Sequence, residues 1–169
     1  MYIIETDRLR LREMTADDAD HLMEIFGDPI AMRYYPSTLP REVALKWIEW
    51  NRENYNVYRS GMWACELKED GAFAGQCGII PQTVDGVEEM EIGYLFVRSY
   101  WGRGLATEAA RAVMNYGFHT LGLNRLIATI YHKNEPSVKL AQRIGMTFEK
   151  RTFVGEGRSD DLIYAIHRE

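Results

Sequence analysis

The stretch VRSYWGRGLATEAARAVM, residues 97–114, decides the fold because two glycines join an apolar run to a helical pattern. Gly102 and Gly104 lie immediately before an amphipathic repeat that begins at Leu105. The first amides of a helix lack intrahelical partners, and glycines let an anion approach the backbone closely. Glycine is also common in turns. The local pattern therefore leaves two interpretations open, an ordinary turn or a cradle for a phosphate group.

The glycine stretch matches neither of two common nucleotide-binding signatures. A Walker loop requires the string GxxxxGK[ST], which occurs nowhere in the chain. A Rossmann fingerprint requires a third glycine where this sequence has Thr107, and it follows the first strand of a parallel unit. The strands predicted before residue 97 are antiparallel. The sequence therefore disfavours the binding of ATP or a dinucleotide.

The composition of the 169-residue chain is that of an ordinary globular protein, and we assign residues 1–169 to one domain. Apolar residues make up 46% and charged residues 27%, which argues against a disordered chain. The net charge of −5 argues against a nucleic-acid partner, because nucleic-acid-binding proteins usually present a basic face. The sequence has no long apolar run, and its first residues alternate with charge. We therefore expect no signal peptide, no membrane partner and a cytoplasmic location.

Cysteine and histidine usage predicts no metal site. Cys65 and Cys77 have no CxxC spacing, and the four histidines are scattered along the chain. The two cysteines flank the turn at residues 68–72 at nearly equal distances, so they could face each other across a hairpin. Structural disulfides are rare in cytosolic proteins, which favours two reduced thiols in the core. The sequence does not decide whether they are paired.

Alternation and turn signals predict the remaining elements. Leu9 and Leu11 alternate with arginines as in a half-exposed strand, and Thr15 is a suitable cap for the next helix. Asp70-Gly71 is a strong hairpin signal, and residues 84–89 form a second tight turn. The predicted elements are a strand at about 6–14, a helix after Thr15, a helix at 41–59, strands at 62–68, 72–80 and 88–97, a helix at 104–120, a strand at 124–132, a helix at 134–145, and strands at 147–154 and 161–167.

This order predicts an α/β (α+β) fold with a mixed, mainly antiparallel sheet of about seven strands. Consecutive hairpins up to residue 97 give an antiparallel meander. A strand–helix–strand crossover then follows, and such a crossover makes its two strands locally parallel.

The glycine stretch resembles the acyl-CoA pyrophosphate loop of the GCN5-related N-acetyltransferases, the GNAT family, whose pattern is Q/R-x-x-G-x-G/A. Here the pattern is Trp101-Gly102-Arg103-Gly104-Leu105-Ala106, with Trp101 in place of the leading Gln or Arg. The longer segment YWGRGLATEA resembles the branch of ribosomal-protein N-acetyltransferases of the RimJ and RimL type. Three further segments carry the same resemblance, in the order TDRLRLR at 6–12, EIGY at 91–94, and Asn134, Ser137 and Gly145-Met146, where Met replaces the usual Phe.

The resemblance implies a sheet with helices on both faces that is splayed between its fourth and fifth strands, here residues 88–97 and 124–132. It also implies that acetyl-CoA is the cosubstrate and inserts into that gap. Arg98 or Arg103 is implied as a further phosphate contact. The implied cofactor-binding residues are Phe96, Val97 and Arg98 on the strand, Trp101, Gly102, Arg103, Gly104, Leu105, Ala106 and Thr107 in the loop, and Asn134 and Ser137 beyond it.

Direct attack of an amine on a thioester requires that the amine lose a proton and that the oxyanion meet a donor. The resemblance favours Glu91 as the base, because it lies on the strand beside the expected thioester. Glu156 on the final turn is the second choice, and Glu89 lies on the same face as Glu91. A main-chain amide near Phe96 or Val97 is the expected oxyanion donor.

The sequence identifies the acid that protonates the departing thiolate less clearly than it identifies the base. Many relatives place a tyrosine seven residues after the asparagine, and here that position is Ala141. Ser137 occupies the position that the RimL-like branch uses, although a serine there can instead bond backbone amides of the helix. Tyr94 and Tyr131 are alternatives for this role. Acceptor contacts are expected from Tyr34, Tyr35, Tyr94 and Glu156, which select no single amine.

Two functions of different classes remain open. The first is an N-acetyltransferase that acts through a ternary complex on a primary amine, either a protein N-terminus such as that of a ribosomal protein or a small amine. The second is a catalytically silent acyl-CoA-binding sensor or scaffold, which the missing tyrosine keeps open. A homodimer is common in the branch, and this sequence does not decide it.

Overall fold

The computed structural model describes residues 1–152 and 161–169, and within them an eight-stranded sheet is flanked by four α-helices. The strands are β1 (Tyr2–Glu5), β2 (Leu9–Glu13), β3 (Met62–Leu67), β4 (Phe73–Val84), β5 (Val87–Phe96), β6 (Arg125–Tyr131), β7 (Thr147–Thr152) and β8 (Asp161–His167). The helices are α1 (Ala19–Phe26), α2 (Arg41–Tyr58), α3 (Leu105–His119) and α4 (Glu135–Arg143), with short 3-10 turns at Ala16–Asp18 and Arg98–Tyr100.

The sheet has the order β1-β2-β3-β4-β5-β6-β8-β7 and is antiparallel except between β5 and β6, which are parallel. This confirms the predicted mixed, mainly antiparallel α/β (α+β) fold. The two hairpins and the crossover helix lie where turn chemistry and apolar spacing placed them. No helix in the described part of the chain is long and apolar enough to cross a membrane.

The sheet has one strand more than the seven or so predicted, because Tyr2–Glu5 forms a separate edge strand. The Thr6 N–H donates to the Leu9 carbonyl at 2.9 Å, which reverses the chain so that Ile4 lies opposite Leu11. Four residues are too few for an alternating pattern to show, and the pairing depends on β2 being in place. Because β1 adds one to the strand numbering, the split predicted between the fourth and fifth strands lies between β5 and β6.

Two apolar clusters hold helices against opposite faces of the sheet. On one face, α3 contributes Ala109 and Val113 to a cluster that contains Trp63 of β3. On the other face, α1 contributes Leu22 to a cluster that contains Ile80 of β4. The helices therefore cover both faces, as the GNAT resemblance implied.

Cys65 and Cys77 are free thiols and fully buried in the first of these clusters. They are not directly opposite one another, since Cys77 faces Trp63 and Cys65 faces Gly75 across the β3–β4 hairpin. Burial raises the pKa of both thiols above the ordinary cysteine range. Both side chains therefore act as small apolar core residues.

Asp18 forms the most buried ion pair near the start of α1. Its carboxylate oxygens accept two hydrogen bonds from Arg12, each 2.8 Å, and a third from the Thr15 N–H at 2.8 Å. The Asp18 side chain is 3% exposed and that of Arg12 is 24% exposed. Burial opposes the charged form, but the bonds from Arg12 and Thr15 outweigh it and lower the Asp18 pKa.

We expect Asp18→Asn to lower the free energy of unfolding at pH 7 by about 2–3 kcal/mol, because one partner of a buried pair is removed. A lowered folded-state pKa gives stability that is present above the unfolded-state value of about 4 and lost as pH falls further. The stabilities of wild type and Asp18→Asn should therefore converge below about pH 4, as measured by urea unfolding. Asp20→Asn, which breaks the exposed pair with Arg41, is the control and should leave stability unchanged. A constant difference between wild type and Asp18→Asn across pH would contradict this account.

Candidate active site

The parallel junction of β5 and β6 opens into a split. The two strands are in register at one pair of residues, Glu91 of β5 and Ile127 of β6. Beyond this pair β5 continues to Phe96 while β6 diverges from it. At the closed end, Arg125 Nε of β6 donates to Glu89 Oε2 of β5 at 2.9 Å. The same guanidinium donates to Glu149 Oε2 of β7 at 2.6 Å. The split is therefore pinned at one end and open at the other.

The backbone of β5 presents alternate residues to the open side of this split. The Val97 N–H donates to the Ala74 carbonyl at 2.9 Å, so the polar backbone groups of Val97 face β4. Because successive residues of a strand point to opposite sides, those of Phe96 and Tyr94 face the gap. Of the two amides considered as oxyanion donors, the Phe96 amide is thus the one directed toward the split.

Trp101, which replaces the leading Gln or Arg of the loop pattern, also contacts this backbone. Its indole N–H donates to the Phe96 carbonyl oxygen at 2.9 Å, and the residue is 41% exposed. A bond from a side chain in the loop to the end of β5 holds the two segments at a fixed separation. The departure from the family pattern therefore has a structural consequence beside the gap.

Both glycines of the loop adopt the left-handed conformation, with φ of +79° at Gly102 and +76° at Gly104. A Cβ added to Gly102 would meet nothing within 4 Å, and one on Gly104 would meet only Arg8 Nη2 at 3.6 Å. The space above the loop is therefore open, and Gly104 is the N-cap of α3. A loop of this shape that leads into a helix N-terminus suits an anion such as a pyrophosphate.

A cavity of about 760 Å³ extends from the glycine loop across the open end of the split to α4 and the loop before α2. Its volume is that of a typical cofactor site. The predicted site residues that line it are Tyr34, Tyr35, Tyr94, Phe96, Trp101, Gly102, Gly104, Leu105, Ala106, Thr107, Asn134 and Ser137. The structure thus brings together residues from four separate segments of the chain.

Several predicted residues lie beside this cavity instead of on its wall. Arg98 forms an ion pair with Asp28 at 3.0 Å. Arg103 stacks over the Tyr100 ring with its guanidinium carbon 5.7 Å from the ring centroid. Val97 and Glu91 are also outside the lining. Glu156, predicted as an acceptor contact and second-choice base, lies outside the described residues.

The described cavity wall is locally positive on a chain that is negative overall. It contains three cationic side chains, those of Arg33, Lys139 and Arg143, and one carboxylate, that of Glu135. Arg143 Nη1 donates to Thr107 Oγ1 at 2.8 Å, which joins the end of α4 to the first turn of α3. Sequence reasoning missed Lys139 and Arg143, although their i, i+4 spacing on one helix face was a usable signal.

Tyr94 and Ser137 form a pair of hydroxyl groups between β5 and α4. The Tyr94 hydroxyl lies 3.0 Å from both the carbonyl oxygen and the Oγ of Ser137. Burial raises the Tyr94 pKa, and so it carries its proton at neutral pH. The Ser137 N–H donates to Asn134 Oδ1 at 3.2 Å, so Asn134 is the predicted helix cap. Tyr94 was expected as an acceptor contact, and its hydroxyl is held here.

Glu91 lies where β5 and β6 begin to separate. Glu91 lies on the opposite face of β5 from Tyr94, the same face as Gly93 and Leu95. Leu95 lines the cavity. The Oε2 atom of Glu91 is buried. The Met62 side chain covers Gly93, where an added Cβ would meet Met62 Sδ at 3.1 Å, so Glu91 lies beside the cavity and has no open path to it above Gly93.

Comparison with known proteins gives the family. An acetyltransferase (GNAT) domain model matches residues 8–147. The protein YkkB of Bacillus subtilis is 41% identical over 146 residues, covering 86% of this chain and 85% of that protein. YdaF of Bacillus subtilis, provisionally named as a ribosomal N-acetyltransferase, is 32% identical over 170 residues, covering 94% and 84%. The structure of RimL, a ribosomal L7/L12 alpha-N-protein acetyltransferase in complex with coenzyme A, has a TM-score of 0.80, 18% identity and coverage of 99% and 98%.

The chain therefore belongs to the GNAT family of acetyltransferases, which confirms the resemblance given by the glycine loop. Its relatives include YdaF, and the RimL fold extends over almost the whole chain. The RimJ and RimL-like branch suggested by the four motifs is thus supported, and the expected enzyme class, an acyltransferase, is confirmed.

Proposed function

We propose that the protein transfers the acetyl group of acetyl-CoA to a primary amine by direct attack within a ternary complex. The observation that carries this proposal is the left-handed glycine loop that faces the cavity at the open end of the β5–β6 split. It combines a helix N-terminus, open space above Gly102 and Gly104, and a locally positive wall.

The residues around the cavity suit each portion of the cosubstrate. Main-chain amides from Arg103 to Thr107 would hold the pyrophosphate, and the edge of β5 at Phe96 would meet the pantetheine arm. Asn134 would lie on the pantetheine side. Bound there, acetyl-CoA supplies an activated acyl thioester.

The proton transfers fall to side chains of β5 and α4. Glu91 would accept the proton of the amine, directly or through a water molecule. The Phe96 N–H, which faces the gap, would donate to the carbonyl oxygen of the thioester. The Tyr94 and Ser137 hydroxyls lie 3.0 Å apart and would supply a proton to the departing sulfur. Ser137 would therefore have two roles: its N–H donates to the capping Asn134, and its hydroxyl would take part in the proton transfer.

The acceptor is a protein N-terminus, such as that of a ribosomal protein, or a small amine. The names of YdaF and RimL favour an N-terminal peptide. The acceptor side of the cavity is formed by Arg33, Tyr34 and Tyr35, and the Arg33 guanidinium stacks on the Tyr34 ring at 4.8 Å. Such a flat, partly aromatic wall suits an extended peptide. We further propose a cytoplasmic enzyme.

The test is release of free thiol from acetyl-CoA with a panel of N-terminal peptides and small amines. We expect acceptor-dependent release, together with thermal stabilisation by CoA and none by ATP or NAD. Ligand at one hundred times its Kd stabilises a protein by about 2.7 kcal/mol, a readily measured shift. Stabilisation by CoA without turnover of any amine would favour the sensor function, and no response to CoA would overturn the proposal.

A further inference from the structure

The turn between β1 and β2 contacts the first turn of α3, about a hundred residues away in the chain. The Glu108 carboxylate accepts three hydrogen bonds from this turn. They come from Thr6 Oγ1 at 2.6 Å, from the Arg8 N–H at 3.0 Å and from Arg8 Nε at 2.8 Å. Thr6 and Arg8 belong to the TDRLRLR segment that opens the sequence. The segment therefore has a direct connection to the helix that follows the glycine loop.

Arg8 also reaches the glycine loop. Its Nη1 donates to the Arg103 carbonyl oxygen at 2.8 Å, while its Nε is bonded to Glu108. The peptide bond between residues 103 and 104 is trans, so the Gly104 N–H points away from the Arg103 carbonyl. Gly104 lines the cavity. By holding the carbonyl on the outer side, Arg8 turns the Gly104 N–H toward the space above the loop.

Arg8 also offsets the negative charge of Glu108, which lies close to the proposed phosphate site. A carboxylate in the first turn of α3 would repel a phosphate bound at the same helix end. Burial opposes ionisation of Glu108, but the bonds from Thr6 and Arg8 outweigh it and lower its pKa, so the group is charged at neutral pH. Its oxygens are directed to Arg8, on the side of the helix away from the cavity wall. The guanidinium thus compensates a charge that would otherwise weaken anion binding.

We propose that Arg8 is a positioning residue for the pyrophosphate loop. It fixes the Arg103–Gly104 peptide with its N–H toward the cavity and neutralises Glu108, without touching the cosubstrate itself. The inference rests on the proposed binding of CoA at this loop. Its specific consequence is that Arg8 matters for ligands with a pyrophosphate and is irrelevant for ligands that lack one.

The test compares CoA with pantetheine, which lacks the pyrophosphate and nucleotide, by titration calorimetry on Arg8→Gln. We expect CoA to bind about tenfold more weakly, the loss of roughly one charge-assisted hydrogen bond, and pantetheine to bind as in wild type. The KM for acetyl-CoA should rise by the same factor with kcat unchanged. Arg10→Gln is the matched control, since Arg10 lies two residues further along the chain and forms an exposed pair with Glu5 at 3.0 Å and a cation–π contact with the Tyr2 ring.

Two further variants keep the inference testable if Arg8→Gln folds poorly. Arg8→Lys retains the charge but cannot donate to both Glu108 and the Arg103 carbonyl, so a smaller loss confined to CoA is expected. Glu108→Gln still accepts from Arg8 and should bind CoA within about twofold of wild type. Equal loss of CoA and pantetheine affinity, or a fall in kcat at unchanged KM, would overturn the positioning role. Failure of the wild type to bind CoA would instead overturn the proposed function.

Discussion

Replacement of Glu91 by glutamine is expected to lower kcat by about 100-fold to 10,000-fold, the usual contribution of a general base. Glutamine has nearly the same shape but cannot accept a proton from the amine. Glu91 lies where β5 and β6 begin to separate, beside the gap in which we propose that the reaction occurs. Acetyl-CoA binding should be retained, because no part of the pyrophosphate site is altered.

The Glu91→Gln measurement is a pH–rate profile under saturating acetyl-CoA. The wild type should lose activity on the acidic side as the base is protonated, and the variant should lose that limb. Glu88→Gln is the control, since Glu88 is an exposed glutamate on the same strand that accepts from the Tyr58 hydroxyl at 3.1 Å.

Two rival bases give outcomes that would contradict the assignment. Glu89 is held by Arg125 at 2.9 Å, and Glu156 was the second choice from the sequence. If Glu89→Gln or Glu156→Gln abolished the acidic limb while Glu91→Gln retained it, Glu91 would not be the base.

Gly104→Ala is expected to weaken CoA binding by about 100-fold, the loss of two hydrogen bonds to a charged phosphate group. An alanine at φ of +76° is strained, and its Cβ would lie 3.6 Å from Arg8 Nη2, so relief of the strain would turn the loop amides away from the proposed pyrophosphate position. The affinity for pantetheine should change much less. Titration calorimetry with the two ligands measures both effects directly.

Gly71→Ala is a close control for Gly104→Ala. Gly71 has φ of +75°, close to that of Gly104, and its added Cβ would meet nothing within 4 Å, but it lies in the β3–β4 hairpin. The backbone strain of the two variants should therefore be equal, at about 1–2 kcal/mol of lost stability. Similar melting temperatures with CoA binding lost only in Gly104→Ala would separate the ligand contact from the strain. Equal CoA affinity in the two variants would contradict a phosphate cradle at Gly104.

Local sequence signals predicted most of the fold and the glycine loop. The helix at Leu105 and the Asp70-Gly71 hairpin depend on neighbouring residues, which the sequence displays directly. The bond of Arg8 to the Arg103 carbonyl and that of Arg143 to Thr107 join distant segments, so no spacing rule could reveal them. The direction of the Phe96 amide likewise follows from the β4–β5 register, which appears only once the strands are paired.

The proposed acceptor side was the least predictable part of the site. Tyr34 and Tyr35 lie in an irregular loop without a period, and only the folded chain brings them opposite the open end of β5. Loops of this kind carry specificity on a shared scaffold, and their chemistry varies independently of the core.

The ion pair of Arg125 with Glu89 has a consequence for the shape of the gap between β5 and β6. From Glu89 to Phe96 the strand extends about 23 Å, at about 3.3 Å per residue. Because β5 is paired with β4 from Val87 to Phe96, this length of strand is a fixed wall of the gap, and β6 is the strand that diverges from it. The Arg125–Glu89 pair therefore marks the point from which the two strands diverge, and the pairing of β5 with β4 keeps one wall of the gap in place.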